Sequence, residues 1–209
     1  MRVYFVLIGE GSSDSGMVRH LETLCIDAGA DEASGIAPDF RQLPRIGRSV
    51  RDKLRAAVEL EPSANLLLIH RDADSRDHRP RHDEILEAIR INNMEVPHVA
   101  VVPVQETEAW LLLDEAAIRR VAANPRGRVP LNLPTPAAVE RLANPKEFLQ
   151  RALINAAEVT GRRLDRFKMQ FGTQRHTLLE FLAIGGPLEQ VASWTRLRTD
   201  IQAAINAMK

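Results

Sequence analysis

The segment that most constrains the fold is residues 66–74, in which a short apolar run, LLLI, leads into HRDAD. A run of this length and composition predicts a buried strand. Alternate residues of an extended segment point to the same side, so Asp72 and Asp74 are expected to direct two carboxylates at one point beyond the strand. Mg²⁺ fits such a point, because it prefers oxygen ligands and takes one or two protein carboxylates together with water and substrate phosphate.

A second apolar run, residues 3–8, also ends near an acid, Glu10, within the loop GEGSSD. In an open parallel sheet, ligands bind outside the carboxyl ends of the strands. Two strands that both deliver acids at their carboxyl ends therefore predict one shared site formed by Glu10, Asp72 and Asp74. The alternative is local, because aspartate favours turns and helix caps and Glu10 can hydrogen-bond within its own loop.

Predicted strands and helices alternate through the first half of the chain. The strands are expected at residues 3–8, 39–43, 66–69 and 99–104, and the helices between them at residues 14–28, 49–60 and 82–93. This alternation is typical of a parallel sheet with right-handed crossovers. After residue 105 only helices are predicted, the main ones at residues 136–142, 145–159, 177–182 and 187–207. We expect an α/β fold: an open, mainly parallel, Rossmann-like sheet flanked by helices over residues 1–123, with a helical C-terminal subdomain over residues 124–209.

Composition restricts the function classes only weakly. Lysine plus arginine and aspartate plus glutamate each number 28, so the overall charge does not by itself indicate a nucleic-acid or membrane partner. The single cysteine, Cys25, excludes an internal disulfide and fits a reducing compartment. The chain opens directly on a predicted strand, without a leader or an apolar span. We expect a cytoplasmic protein with no membrane contact.

Two further acids, Glu106 and Glu108, lie where the fourth predicted strand passes into a helix. First-turn acids stabilise a helix dipole by about 0.3–1 kcal/mol, which is one explanation for them. The other is a second metal position at the same edge of the sheet, since paired metals about 3.5–4 Å apart assist phosphodiester displacement. Glu106 is the preferred ligand, with Glu108 as a further candidate, and Trp110 is expected in the core.

Histidines and basic residues form additional clusters. His70, His78 and His82 have no cysteine beside them, so we expect polar loop residues near phosphate rather than a zinc site. Arginines that follow the DAD segment either neutralise its acids or grip phosphate: Arg71, Arg76, Arg79 and Arg81. Two basic groups form either solvated helix faces or a groove for a nucleic-acid backbone: Arg41, Arg45, Arg48, Arg51, Lys53 and Arg55, and Arg162, Arg163, Arg166, Lys168 and Arg175.

The order of these acidic motifs resembles the Toprim domain of topoisomerases, bacterial primases, recombination mediators and overcoming-lysogenization-defect nucleases. The likeness rests on Glu10-Gly11 after the first strand and Asp72-Ala73-Asp74 after a later one. The segment QETEAWLL, residues 105–112, resembles a narrower bacterial family of stand-alone Toprim-like proteins. Together the likeness covers residues 1–115 and implies a Toprim-like sheet.

The resemblance implies a role for each acid. Glu10 takes the place of the general acid or base, and Asp72 and Asp74 take the places that hold Mg²⁺ or Mn²⁺ for phosphodiester chemistry. Strand passage is not expected, because the only tyrosine, Tyr4, lies inside the first strand. The leading hypothesis is a metal-dependent nuclease-like hydrolase acting on DNA or RNA, with Glu10, Asp72, Asp74 and Glu106 as catalytic residues.

Two alternatives stay open. The first is a non-catalytic nucleic-acid-binding or regulatory Toprim module in a bacterial defence or repair system. The second is one subunit of a defence or toxin system whose partner protein supplies ATPase activity.

Overall fold

The computed structural model describes residues 1–40 and 46–209 of the chain. Four strands form a parallel sheet in the order β2-β1-β3-β4. The strands are β1 (Arg2–Ile8), β2 (Glu32–Ile36), β3 (Leu66–His70) and β4 (His98–Val101). The predicted α/β class, with a mainly parallel sheet flanked by helices, is confirmed.

The apolar run that was predicted as a strand is the centre of the sheet. All five residues of β3 are buried, because helices cover both faces of a parallel sheet. Its pairing with β1 runs from Phe5 opposite Leu66 to Ile8 opposite Ile69. The two strands therefore end level with each other, and the loops that follow them leave the same edge of the sheet.

The helices of the first half connect the strands. A 3-10 helix (Ser12–Met17) leads into α1 (Val18–Asp27), which is followed by α2 (Val50–Leu60) and α3 (Arg79–Ile91). The Ser49 hydroxyl caps α2 by accepting the amide proton of Asp52 at 3.1 Å, as is typical of an N-cap serine. In α3 a proline occupies the first turn, where it leaves no helical hydrogen bond unmade.

Further helices follow β4. They are α4 (Glu108–Leu111), α5 (Glu115–Val121), α6 (Pro136–Val139), α7 (Pro145–Ala157), α8 (Gly161–Lys168), α9 (Phe171–Glu180), a 3-10 helix (Gly186–Gln190) and α10 (Ala192–Ala207). No helix in the described part of the chain is long and apolar enough to cross a membrane.

Two hydrophobic clusters lie on opposite faces of the sheet. The smaller one joins alternate residues of β1 and β3, such as Val6 and Ile69, to α2 and α3. The larger one joins the other alternate residues, such as Phe5 and Leu68, to α1 and to helices from the second half of the chain, including α7, α9 and α10. The helices beyond residue 124 therefore share a buried cluster with the sheet.

The second strand does not occupy the predicted position. β2 is Glu32–Ile36, inside the segment that was expected to be a loop. Of the predicted strand at residues 39–43, Asp39 and Phe40 are not in a strand, and residues 41–43 lie outside the described residues. β2 is a partly exposed edge strand without an apolar run. A Cβ on its Gly35 would lie 2.2 Å from the Phe5 ring, so the glycine permits a close approach that no hydrophobic pattern reveals.

Replacing Trp110 with alanine is expected to lower the free energy of unfolding by about 3–5 kcal/mol. Trp110 is 1% exposed, as predicted for a core residue. Its ring lies edge-on to Trp194 at 5.1 Å, and its Nε1 donates to the Ser193 hydroxyl at 2.9 Å. Met169→Ala is the control, because that side chain is 80% exposed and should change stability by less than about 0.5 kcal/mol. Equal losses in denaturant unfolding would contradict the packing described.

Candidate active site

Three connections at the carboxyl edge of the sheet bring acids together. Glu10 follows β1, Asp72 follows β3, and Glu106 precedes α4. Glu10 Oε1 accepts the amide proton of Asp72 at 3.2 Å. Asp72 Oδ1 in turn accepts from both the amide and the hydroxyl of Thr107, each at 2.8 Å. The structure thus links the predicted residues Glu10 and Asp72 directly and places Thr107, next to Glu106, at the same point.

Backbone hydrogen bonds continue the pairing of β3 with β4 beyond the strand ends. The amide of Ala73 donates to the carbonyl of Pro103 at 3.1 Å, and that of Asp74 donates to Gln105 at 2.8 Å. The amide of Gln105 returns a bond to Ser75 at 3.0 Å. The loop that carries Asp72 is therefore anchored along the segment that carries Glu106.

Asp74 is oriented differently from the expectation. The extended geometry that predicted a common direction for Asp72 and Asp74 is wrong, because β3 ends at His70 and Asp74 has a φ of 51°. Its carboxylate pairs with Arg81 at 2.6 Å and is largely exposed. A left-handed backbone is one that aspartate tolerates better than most residues, so the residue type suits this turn.

A buried row of alternating charges, which we call the inner ion chain, extends from Asp72 into the protein. His70 lies between Asp72, 3.4 Å from its Nε2, and Asp14, 3.2 Å from its Nδ1. Arg175 on α9 lies 3.6 Å from Asp14 and donates from Nε to Glu108 at 2.8 Å. The order of the inner ion chain is Glu108, Arg175, Asp14, His70 and Asp72. Glu108 is thus paired inside the protein.

The charge on His70 follows from its two acidic neighbours. Burial alone would lower the pKa of the imidazole, but the charges of Asp14 and Asp72 and their hydrogen bonds raise it to about 10. The ring is therefore a cation at neutral pH. Burial would conversely raise the pKa of Asp14, but His70, the Gly11 amide and Arg175 hold it far below its usual range. For Asp72, His70 and Thr107 likewise outweigh burial and lower the pKa.

A second row of alternating charges, the outer ion chain, lies closer to solvent. Arg71 is 3.2 Å from Glu10 and 3.4 Å from Glu84. Arg81 is 2.9 Å from Glu84 and 2.6 Å from Asp74. The order of the outer ion chain is Glu10, Arg71, Glu84, Arg81 and Asp74. Two of the arginines that follow the DAD motif therefore neutralise acids, which favours the structural interpretation of these arginines.

The remaining arginines of that segment also contact protein groups. Arg76 donates to the carbonyl of Arg141 at 2.9 Å, and Arg79 forms two bonds to Asp77 at 2.8 Å. From the first basic group, Lys53 donates to the carbonyls of Gly9 and Glu10 at 2.9 Å. Arg41 and Arg45 lie outside the described residues.

Two acids at this edge, Glu10 and Glu106, lie in surroundings that disfavour their charged form and so raise the pKa of each. Burial, followed by the negative charge of Asp72, raises the pKa of Glu10, although Arg71 and His70 oppose the shift. Burial raises the pKa of Glu106 as well, with contributions from Glu108 and Asp72 that oppose its bond to the Lys146 amide. Glu106 Oε2 accepts that amide proton at 3.0 Å. The negative charge of Asp72 therefore acts on both acids and raises the pKa of each.

The histidines do not form a common metal site. His70 is buried in the inner ion chain, whereas the rings of His78 and His82 stack edge-on at 5.0 Å beside Arg196. Among the described residues, no group of three or more His, Cys, Asp or Glu side chains has an arrangement that could hold a metal ion.

Sequence reasoning missed several members of the site. Asp14 was predicted only as the first residue of a helix, His70 as a polar loop residue, and Arg175 as one of a basic group. His70 carried a signal, because it is a polar residue at the end of a run whose other members are all core residues. Arg175 carried none, since it is 67 residues from its partner Glu108.

Comparisons of the chain with protein-family models, curated proteins and solved structures give no match. The likeness to the Toprim domain accordingly rests on the residues quoted for it alone.

Replacing Arg175 with methionine is expected to destabilise the fold by about 3–5 kcal/mol, because it leaves buried carboxylates without their cation. Arg175→Lys should recover part of the loss, since it restores the charge. Arg163→Met serves as the control, because Arg163 is exposed and makes no ion pair in the described part of the chain. Denaturant unfolding measures all three variants, and a wild-type stability for Arg175→Met would show that the inner ion chain does not stabilise the fold.

Proposed function

We propose that the chain is a Mg²⁺-dependent phosphodiesterase of Toprim-like fold that acts as a nuclease on DNA or RNA. The observation that carries the proposal is that Glu10, Asp72 and Glu106 lie at the carboxyl edge of the sheet on three different strand connections, near enough for the charge of Asp72 to raise the pKa of both Glu10 and Glu106. On this proposal residues 1–123 form the Toprim-like domain and residues 124–209 a helical subdomain that supplies Arg175.

The free oxygen atoms at this edge suit a hard divalent cation. Glu10 uses Oε1, Asp72 uses Oδ1 and Glu106 uses Oε2 in hydrogen bonds. Each acid therefore retains a second carboxylate oxygen that no hydrogen bond from the described residues engages. Oxygen-only donors match Mg²⁺ or Mn²⁺, and Mg²⁺ needs only one or two protein carboxylates because water completes its coordination. Asp72 is the proposed ligand, with Glu106 assisting, while Glu10 serves as the general base.

The chain's own residues then have distinct tasks. A bound Mg²⁺ would supply charge stabilisation to the phosphoryl oxygens. Glu10, whose pKa is raised, accepts a proton from the attacking water, because a carboxylate with a raised pKa is a stronger base. Thr107 and His70 hold Asp72 in one orientation from two sides. Lys53, bound to the carbonyls of Gly9 and Glu10, fixes the loop that carries the base.

A non-catalytic nucleic-acid-binding module is the second candidate, and the outer ion chain favours it. Arg71 already neutralises Glu10, and Arg81 already neutralises Asp74. These pairs stabilise the acids without any metal, so a binding module would retain the same geometry. The two candidates differ in one measurable respect, because only the first requires Asp72 for turnover.

Asp72→Asn is expected to lower the Mg²⁺-dependent cleavage of labelled DNA or RNA about 100-fold or more, since a ligand for a metal that contributes several kcal/mol to the transition state is lost. Asp74→Asn should lower the cleavage rate less, because the Asp74 carboxylate is paired with Arg81 and is not a proposed ligand. Glu87→Gln is the matched control, since Glu87 is an exposed acid of α3 paired only with Arg90.

Two results would overturn the proposal. One is the absence of turnover by wild-type protein on single-stranded DNA, duplex DNA and RNA with either Mg²⁺ or Mn²⁺. The other is an Mn²⁺ affinity that is identical in wild type and Asp72→Asn. Salt-sensitive binding of nucleic acid without turnover would establish the second candidate instead.

A further inference from the structure

Helix α8 exposes a concentration of cations that no acid neutralises. Its side chains include four cations, Arg162, Arg163, Arg166 and Lys168, and one acid, Asp165. All five are exposed, and none of the four cations forms an ion pair or side-chain hydrogen bond with any described residue. Some exposed arginines elsewhere have acidic partners: Arg2, Arg79, Arg90 and Arg198. Others, such as Arg19, Arg51 and Arg126, have no ion pair with a described residue, so α8 is distinguished by carrying four unpaired cations within seven residues.

Helix stability does not account for these cations. Positive charge near the last turn, as at Arg166 and Lys168, is favourable to the helix dipole, but Arg162 and Arg163 lie in the first turn, where positive charge is unfavourable. Arg162 and Arg166 are also four residues apart, so they repel each other on the same face. Asp165 lies three residues from both Arg162 and Lys168 and offsets part of this repulsion, but a net excess of three positive charges remains for a polyanion to neutralise.

We propose that α8 is the surface on which this chain docks the phosphate backbone of a nucleic acid, an inference that rests on the proposed function. A nucleic acid presents closely spaced negative charges. Three of the four cations are arginines, whose planar guanidinium groups bind phosphate oxygens in bidentate fashion. Charge complementarity therefore selects a polyphosphate over a neutral partner.

The packing of α8 argues against membrane insertion. A helix that lies in a membrane interface inserts its own apolar face. In α8 that face is turned inward, with Phe167 packed against the main core and Leu164 half-buried. Directly after the helix, Met169 presents one large apolar side chain to solvent. Contact through charge alone fits a strand of phosphates better than a lipid surface.

The position of α8 connects this surface with the candidate active site. Only Met169 and Gln170 separate α8 from α9, and Gln174 Nε2 donates to the carbonyl of Phe167 at 3.3 Å. Arg175, in the second turn of α9, belongs to the inner ion chain. A nucleic-acid strand that lies along α8 would thus approach α9, the helix that contributes Arg175 to the candidate active site.

The test measures binding separately from cleavage. Fluorescence anisotropy of a labelled oligonucleotide, with EDTA present, is followed against salt concentration for wild type and for a variant in which the four cations of α8 are replaced by glutamine. The variant should bind at least about tenfold more weakly at low salt, and its slope of log affinity against log salt should be shallower by about 3. Two half-variants, Arg162→Gln with Arg163→Gln and Arg166→Gln with Lys168→Gln, should each give about half of that change.

A variant with the same number of substitutions at paired cations is the control and should retain wild-type binding: Arg2→Gln, Arg79→Gln, Arg90→Gln and Arg198→Gln. Wild-type affinity in the α8 variant overturns the docking proposal, whatever cleavage shows. The proposal is also overturned if the α8 variant keeps its oligonucleotide affinity and instead loses binding to vesicles of phosphatidylserine and phosphatidylcholine, or to a polyglutamate peptide. Loss of oligonucleotide binding in a protein that never cleaves supports docking while the proposed hydrolysis fails.

An independent feature lies where the start of α3 meets α10. Arg196 Nη1 on α10 lies 2.9 Å from Nε2 of His78, the residue just before α3. Arginine can only donate hydrogen bonds, so Nε2 must accept and the His78 ring must be neutral, with its proton on Nδ1. That Nδ1, Nε2 of His82 and Nη2 of Arg196 are buried without hydrogen-bond partners in the described structure. The contact therefore has no spare acceptor for a further proton.

We infer that this contact is a pH-sensitive latch between α3 and α10, which opens when His78 gains a proton and turns its acceptor into a second donor facing Arg196. The groups around it include both signs: Arg196 and Asp200 on α10, Asp77, Arg79, His82 and Asp83 at the start of α3, and Glu140 after α6. Asp77 and Glu140 favour a charge on His78, but burial and the charge of Arg196 outweigh them, and Asp77 is itself bound by Arg79 through two hydrogen bonds.

The direction of the pH dependence follows from the two states. Burial, followed by the charge of Arg196, lowers the pKa of His78 in the folded protein. The unfolded chain, with an ordinary histidine pKa of about 6.5, therefore takes up a proton first as the pH falls. The stability that the latch contributes is complete above that pH and is lost below it.

Replacing His78 with glutamine tests the latch, because the amide oxygen keeps an acceptor that does not titrate in this range. Between pH 7.5 and pH 5, wild type should lose about 2–4 °C more in Tm than His78→Gln. His98→Gln is the control for loss of a histidine and should keep the wild-type pH dependence. Identical pH profiles for wild type and His78→Gln would overturn the latch, as would a steeper loss in the variant.

Discussion

The charged imidazole of His70 is the interaction on which the candidate active site depends. A cation that is 1% exposed has lost nearly all of its hydration, and only the adjacent carboxylates of Asp14 and Asp72 offset that cost. Those two acids lie in different strand connections. Thr107, in a third connection, hydrogen-bonds both His70 and Asp72. One buried ring thus joins the connections after β1, β3 and β4. If any partner is lost, an uncompensated charge is left in the core.

Those parts of the fold whose signals are local could be predicted from the sequence. The run at residues 66–69 is apolar because β3 is covered on both faces, and such a run is visible without knowledge of its neighbours. The level ends of β1 and β3 follow from the parallel pairing, so the approach of Glu10 to Asp72 was also predictable. Both inferences need only the strand assignment and the rule that parallel strands end at a common edge.

The features that sequence reasoning missed depend on contacts between distant residues or on backbone geometry. β2 carries no hydrophobic signal because it is an edge strand, in which Gly35 serves the close approach to Phe5. Asp74 was paired with Asp72 by assuming an extended backbone, which its positive φ contradicts. Arg175 reaches Glu108 and Asp14 only because α9 packs beside the first loop of the chain. Spacing along the sequence contains no trace of such a contact.

The charges of the two ion chains bear on the divalent cation that the proposed function requires. Each chain alternates three carboxylates with two cations, so each retains one negative charge when His70 is protonated. They meet where the Asp72 amide donates to Glu10, and there burial, followed by repulsion from the Asp72 carboxylate, raises the pKa of Glu10. Lys53 and Glu106 flank the junction with opposite charges, so the excess remains close to two negative charges. A monovalent cation would leave part of that repulsion, whereas the divalent cation of the proposed function would neutralise it.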